Sequence, residues 1–251
     1  MTRIIIHGCN GAMGQVVSKL AQEMEDVQVS AGVDLNTGTA FDYPVFPSLD
    51  ACDIEADVVV DFASAKAADH LLDYCAEKKL GLVLCTTGLS EAQIKKAAAA
   101  AEKTAVLRSA NMSLGINTLF KLLGEAAKVL AGAGFDIEVV EKHHSRKLDA
   151  PSGTALALAD SINEAMDHVY HYEYDRTGRR EKRDPKEIGI HAVRGGTIVG
   201  EHEVIFAGQD EVITFSHTAY SKAIFAKGAL EAARFLKGRE PGLYTMADVI
   251  R

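Results

Sequence analysis

Arg3-Ile4-Ile5-Ile6-His7-Gly8-Cys9-Asn10-Gly11-Ala12-Met13-Gly14 is the stretch whose reading decides the fold. Arg3 to His7 is a short run of β-branched apolar residues, the pattern of a parallel strand buried on both faces. A glycine-rich turn follows at once, and Gln15 to Met24 then spaces Val16, Val17, Leu20, Ala21 and Met24 as one face of a helix. Strand, glycine turn and helix in this order form the setting of a dinucleotide-binding site. The glycines let the main chain approach a pyrophosphate, and the helix start favours its negative charge. Asn10 stands where the strict G-x-G-x-x-G pattern has its second glycine. Asparagine tolerates left-handed backbone better than most residues. Gly8, Cys9, Asn10, Gly11, Ala12 and Met13 are therefore the expected pyrophosphate-contacting residues.

The alternation continues downstream. Val27 to Val33 predicts a second strand ending at Asp34, whose carboxylate suits a ribose 2′-hydroxyl and repels a 2′-phosphate. Leu35 and Asn36 follow, so no adjacent cation meets such a phosphate. This favours NADH as cofactor, with NADPH possible through a more distant Lys or Arg. Residues 36–53 predict a loop with short extended pieces. Ala56 to Phe62 and Leu80 to Cys85 predict buried strands. Ala65 to Lys79 predicts a helix, as does Glu91 to Ala101 behind a Ser90 cap, and a strand closes at Leu107. The order predicts an α/β fold with a Rossmann-like, doubly wound parallel sheet. Turns after parallel strands point at the ligand crevice, which adds Cys85, Thr86 and Thr87, and Ser109, Ala110, Asn111 and Met112, near the nicotinamide end.

Beyond this the pattern changes. Ile116 to Leu130 is amphipathic, and residues 135–140 read as a strand running into Glu141-Lys142-His143-His144-Ser145-Arg146-Lys147-Leu148-Asp149-Ala150-Pro151-Ser152-Gly153-Thr154-Ala155. Pro151 suits the approach to a helix, Ser152 or Thr154 can cap it, and its first amides favour an anion. A cluster of His143, His144, Arg146 and Lys147 just before such a cradle points to a small anionic substrate and a proton donor. Histidine titrates near neutrality, which suits His143 as acid/base, with Lys147 as a second donor or charge stabiliser. His144, Gly153 and Thr154 can bind carboxylates. Glu141 and Asp149 are expected to orient neighbours, and Arg194 is either added positive charge or a surface arginine. Residues 167–187 predict an exposed loop or edge hairpin. Ile188 to Val193, Ile198 to Phe206 and Val212 to His217 predict an antiparallel meander. Ser221 to Leu236 predicts a helix, and Pro241 to Tyr244 an irregular tail. The expected division is a dinucleotide-binding domain over 1–113, completed by 221–251, and a second α+β domain over 114–220 on a mixed or antiparallel sheet.

The run Glu141-x-His143-His144-x-x-Lys147-x-Asp149-Ala150-Pro151-Ser152-Gly153-Thr154-Ala155 closely resembles the signature of the bacterial dihydrodipicolinate reductase family, and the resemblance spans essentially the whole chain. It implies reduction of 4-hydroxy-tetrahydrodipicolinate to tetrahydrodipicolinate with loss of water, in diaminopimelate and lysine biosynthesis. It also implies His143 as acid/base, Lys147 as proton donor, and His144, Gly153 and Thr154 as substrate-binding residues. A homotetramer built through the second domain's sheet is implied as well. Cys85-Thr86-Thr87-Gly88 departs from the family's usual Gly-Thr-Thr-Gly, and Met112 stands where an aromatic is common. Two rivals remain: a two-domain dehydrogenase of a sugar or amino acid, and a non-catalytic NADH-binding redox sensor.

Composition sets bounds. The 251 residues carry a formal net charge of -8, which argues against nucleic acid as a default partner. Four cysteines without C-x-x-C spacing suggest neither a disulfide framework nor a metal site. The first strand begins at Arg3, leaving no room for a signal peptide, and apolar runs are too short for a membrane span. A cytoplasmic protein with no membrane partner is expected.

Overall fold

The computed structural model describes residues 1–38 and 41–250. Residues 39 and 40 of the expected 36–53 loop, and Arg251 of the expected C-terminal segment, lie outside them. In chain order the elements are β1 (Thr2–His7), α1 (Ala12–Gln22), β2 (Val27–Val33), β3 (Val45–Phe46), β4 (Val58–Asp61), α2 (Ala68–Lys78), β5 (Gly81–Leu84), α3 (Glu91–Ala101) and β6 (Ala105–Leu107). Then come α4 (Leu114–Leu130), β7 (Asp136–His143), α5 (Gly153–Ala165), β8 (His171–Glu173), β9 (Glu187–Arg194), β10 (Glu201–Ala207) and β11 (Val212–Thr218). The chain ends with α6 (Ala223–Leu236), β12 (Gly242–Tyr244) and α7 (Met246–Val249). It divides into two compact units, Met1–Leu114 with Lys222–Arg251, and Gly115–Ser221.

The first unit is built on a seven-stranded sheet in the order β12-β6-β5-β4-β1-β2-β3, with every pairing parallel. Successive residues of a strand face opposite sides. Ile4 and Ile6 accordingly pack with Val17 of α1 and Ala229, Leu230 and Ala233 of α6. Ile5 packs on the other side with Leu71, Leu72 and Cys75 of α2 and Ala97 and Ala100 of α3. This two-sided burial explains why β1, β4 and β5 read as uninterrupted apolar runs. Ser90 starts α3 with a reciprocal box, its hydroxyl accepting from the Gln93 N–H while the Gln93 side chain accepts from the Ser90 N–H. One expectation is corrected here. Gly242–Tyr244 is not an irregular tail but the seventh strand, fastened to β6 when Arg108 N–H donates to the Tyr244 carbonyl at 2.9 Å. Three residues that begin with a glycine directly after Pro241 carry no periodicity of their own. The open edge of β6 makes them a strand.

The second unit has a five-stranded sheet in the order β11-β10-β7-β9-β8. The expected meander is also corrected. β9 runs parallel to β7 and to β8, while β10 is antiparallel to both β7 and β11. β9 and β10 flank β7 and do not pair with each other. Their connection passes the end of β7, where Gly195 N–H donates to the His143 carbonyl at 2.9 Å and Ser145 N–H to the Gly196 carbonyl at 3.2 Å. Alternating residues describe each strand correctly and cannot say which strand lies beside which.

β7 alternates strictly, with Ile137, Val139, Glu141 and His143 buried. Its apolar face packs under α4 and α5 through Leu123, Ala127, Leu158 and Ile162. Residues 167–187 form no hairpin, and residues 174–186 are the exposed loop that the sequence predicts. β8 is a short strand parallel to β9, and the segment after it is clasped by charge. Glu187, fully buried, accepts from Arg176 at 2.8 Å and Arg179 at 2.5 Å. Glu138 accepts from Arg176 at 2.7 Å, Arg183 at 3.0 Å and His191 at 2.8 Å. Burial opposes ionisation of Glu187, but the two guanidinium groups outweigh it and bring its carboxyl down to about 2. Among the described residues no helix is long and apolar enough to cross a membrane.

Candidate active site

In the first unit the chain leaves β1 through the glycine turn. Gly8 has φ 82°, where an L side chain is strained, and an added Cβ would lie 2.9 Å from the Ala63 backbone. A Cβ on Gly14 would lie 2.1 Å from the Gly8 carbonyl oxygen, so α1 starts tight against the turn only because residue 14 is glycine. Gly11 occupies the N-cap position and brings no capping side chain. The start of α1 thus presents main chain, as an anionic ligand needs.

Asp34 stands beside this turn. Its carboxylate accepts from the Asn10 N–H and the Asn36 N–H, each at 3.1 Å. The Asn10 side chain donates to the carbonyls of Asn36 at 2.5 Å and Gly38 at 2.7 Å. Asn10 therefore ties the turn to the segment after β2, a role the missing glycine could not fill. A cavity of about 550 Å³ is lined by Gly8, Gly11, Asp34, Leu35, Lys66 and His70, among others. Lys66 is a cation that sequence reasoning left unnamed. It lies far from Asp34 along the chain and only the sheet order brings it to the same cavity.

A second cavity of about 580 Å³ opens where β5 and β6 end. Met13, Cys85, Thr86, Thr87, Ser109, Ala110, Asn111 and Met112 all line it. The expected segments thus come together, and Arg108, Lys222 and Phe225 join them without a sequence signal. The Thr86 hydroxyl is buried and has no hydrogen-bond partner among the described residues. Such a group is costly unless a ligand satisfies it. Cys9 is fully buried, and Cys85 is partly covered with its thiol pushed well up by burial, so neither is poised as a nucleophile. The bare turn, the carboxylate at the end of β2 and the orphaned Thr86 hydroxyl together fit a dinucleotide.

The second unit holds the titratable cluster. His143 closes β7 and is 9 % exposed. Its Nδ1 lies 2.6 Å from Glu141 Oε2. Arg194 grips the same carboxylate with two bonds, Nη1 to Oε2 at 2.7 Å and Nη2 to Oε1 at 2.6 Å. Arg194 is therefore no surface arginine. Ser152 N–H also donates to Glu141 Oε1, at 2.9 Å. Burial works against the Glu141 charge, yet bonds from Arg194, His143 and Ser152 hold its carboxyl below the ordinary glutamate range.

Ser152, not Thr154, caps α5, its hydroxyl accepting from the Ala155 N–H at 3.1 Å. The same hydroxyl lies 3.0 Å from Nε2 of His202, which sequence reasoning missed. Burial, helped by the nearby His143, pushes His202 down to about 4, so it is neutral near pH 7. At Gly153 an added Cβ would meet nothing, so the start of α5 is open. Lys147 pairs with Asp149 at 2.8 Å. The Lys147 ammonium, with the amides of Asp149 and Gly153, holds the Asp149 carboxyl below its usual range. A carboxylate already rests against the expected proton donor Lys147 and the Gly153 amide expected to bind one. His144 Nδ1 is buried and has no partner among the described residues.

Comparison with known proteins fits these two sites. The family model described as dihydrodipicolinate reductase, N-terminus, matches residues 2–112, and that for its C-terminus matches residues 115–250. The chain belongs to the dihydrodipicolinate reductase family. It is 56% identical over 251 residues to the 4-hydroxy-tetrahydrodipicolinate reductase of Caldanaerobacter subterraneus subsp. tengcongensis, covering 100% of this chain and 99% of the relative. The enzyme of the same name from Clostridium tetani is 46% identical over 246 residues, covering 98% and 96%. Among solved structures, a dipicolinate-bound dihydrodipicolinate reductase from Paenisporosarcina sp. TG-14 superposes with a TM-score of 0.83 at 25% identity, with 100% of both chains covered. Membership makes the chain a nicotinamide-dinucleotide-dependent oxidoreductase with a Rossmann-type fold.

Proposed function

We propose that the chain reduces 4-hydroxy-tetrahydrodipicolinate to tetrahydrodipicolinate, with loss of water, in diaminopimelate and lysine biosynthesis. The observation that carries this reading is the carboxylate-backed His143 beside the Ser152-capped helix start, in a chain of this family. The cofactor supplies a hydride. With one proton, that hydride reduces the dicarboxylate as its hydroxyl departs in water. His143 donates the proton to the carbon skeleton. Lys147 holds charge that develops, or protonates the departing hydroxyl and regains that proton from the ring carbon deprotonated as water leaves. His144 and the amides of Gly153 and Thr154 bind a substrate carboxylate, displacing Asp149 from Lys147 and Gly153.

Residues 1–113 with 221–251 hold the cofactor, and 114–220 hold the substrate and join copies of the chain into a homotetramer. The pyrophosphate lies on Gly8 to Met13. The nicotinamide lies against Cys85 to Thr87 and Ser109 to Met112. NADH is favoured because Asp34 repels a 2′-phosphate and Leu35 and Asn36 offer no cation. Lys66, lining the same cavity as Asp34, supports some use of NADPH. The enzyme works in the cytoplasm.

The deciding assay follows NADH and NADPH oxidation with freshly made 4-hydroxy-tetrahydrodipicolinate. Turnover is expected, with higher kcat/KM for NADH. Asp34→Ala should weaken NADH by roughly tenfold, the loss of one charged hydrogen bond, and relieve repulsion of NADPH. No turnover would overturn the reaction. Equal or better wild-type efficiency with NADPH would overturn the cofactor preference. Turnover of a sugar or an amino acid instead would restore the dehydrogenase reading.

A further inference from the structure

We infer that Glu141, clamped by Arg194, is the positioning residue that fixes the His143 proton on Nδ1 and makes Nε2 the nitrogen that exchanges a proton with substrate. The inference rests on the reading of His143 as acid. It begins from donor and acceptor counting. An ionised carboxylate only accepts hydrogen bonds. Glu141 already accepts from two guanidinium nitrogens of Arg194 and from the Ser152 amide, and these groups favour its ionised form. A contact of 2.6 Å between Glu141 Oε2 and His143 Nδ1 then requires the proton on Nδ1. In neutral His143 the lone pair is left on Nε2. In the imidazolium, Nε2 carries the proton that can leave while Nδ1–H stays bound to Glu141.

The surroundings hold the ring still and keep side-chain bulk off that nitrogen on one side. A Cβ at Gly200 would lie 3.1 Å from His143 Nε2, so a side chain there would press on the exchanging atom. His202 packs edge-on to the His143 ring, with centroids 5.1 Å apart and planes at 75°. His202 sits on β10, which pairs with β7, and its Nε2 is engaged with Ser152. Being neutral, it puts no second cation beside His143. The charged groups around the ring are thus Glu141 from β7 itself, Arg194 from the end of β9 and, acting on His202 from the loop after β7, Lys147. Arg194 also donates to the Asp149 carbonyl at 2.6 Å. One side chain therefore joins the acid's carboxylate to the loop that carries Lys147. Glu141 does not touch substrate in this account. It acts through the orientation and tautomer of His143, as a carboxylate partner does for other reacting histidines.

The test is nitrogen NMR of histidine-labelled protein, with His143→Gln used to assign the signal. With His143 in its neutral form, the wild type is expected to show Nδ1 protonated and Nε2 bare. Glu141→Gln should raise the population with Nε2 protonated. It should also lower kcat on the order of ten- to a hundredfold, with a much smaller change in KM for the dicarboxylate. Gly200→Ala should lower kcat while leaving the tautomer as in the wild type. A merely structural Glu141 would change stability without changing the tautomer. Neutral His143 found with its proton on Nε2 overturns the inference, and this wild-type measurement needs no variant to fold. So does a folded Glu141→Gln enzyme with unchanged tautomer and kcat. A wild-type protein with the Nδ1 proton but no turnover overturns the functional reading and leaves the Glu141 assignment standing.

Discussion

The turn after β1 and the end of β7 are both expected to hold anions, and they are built on opposite principles. The turn works by having no side chains in the way. Gly8 takes a left-handed backbone, Gly14 lets α1 approach the Gly8 carbonyl, and Gly11 leaves the helix start uncapped. The end of β7 works by packing charged side chains against one another, with Glu141 at the centre and Arg194, His143 and the Ser152 amide around it. Main-chain recognition is local and hard to tune. A buried charge network can set a proton on a chosen atom, at the cost of depending on residues far away in sequence.

That contrast predicts which measurement each region controls. The largest effect should come from the β7 end. His143→Gln should lower kcat by about a hundred- to ten-thousandfold, the usual contribution of a general acid. Its neighbour His144 should act on the other constant. His144→Gln should chiefly raise the dicarboxylate KM, by roughly ten- to a hundredfold for one charged contact. Steady-state kinetics at saturating NADH separate the two. Near-wild-type kcat in His143→Gln across neutral pH would leave Lys147 or water as the proton source.

The turn should give the converse pattern. Gly8→Ala forces a side chain into left-handed backbone, a strain of about 1–2 kcal/mol, in addition to the close approach to Ala63. NADH affinity should fall by roughly tenfold or more, while kcat at saturating cofactor holds. Fluorescence titration with NADH checks the affinity. A Gly8→Ala variant that lost kcat with its cofactor affinity intact would break the distinction between the two regions.

The smallest expected effect concerns stability, and it asks whether long-range charge also holds the second unit together. Glu187 is brought down to about 2 by Arg179 and Arg176 against the opposing effect of burial. A carboxylate whose folded value lies below its unfolded value stabilises the fold above the unfolded value, about 4.5. That contribution is lost as pH falls from there toward about 2. Glu187→Gln should destabilise the protein at neutral pH by on the order of 1.5–3 kcal/mol, the loss of charge-assisted bonds, and should flatten the acid limb of the stability curve. Thermal melts of both proteins between pH 7 and pH 3 test this. Equal acid slopes would show that the clasp contributes nothing measurable.

How much could be read in advance follows the same division. The first unit's sheet was legible because a parallel strand covered on both faces must be a continuous apolar run, and a glycine turn before a helical period has few other uses. Ser90 as the start of α3 was legible because a cap is settled within four residues, whereas at α5 the same rule left both Ser152 and Thr154 open. The motif from Glu141 to Thr154 was legible as a cluster, since its histidines, lysine and helix start lie side by side in the chain. The seventh strand was not, because Gly242–Tyr244 takes its form from β6.

The sequence by itself determined the parts whose physics is local: strand and helix periods, caps, the bare turn, and the choice of residues at the end of β7. The tertiary structure decided everything that depends on which elements become neighbours. It set β7 between β9 and β10 where alternation suggested a meander, because alternation records which face is buried and not which strand is adjacent. It carried Lys66 to the cavity of Asp34, Arg194 to Glu141 and His202 to Ser152. It clasped Glu187 with two arginines in a segment that reads as loop. A buried charge must find its partner wherever the fold brings one, and no spacing along the chain records that meeting.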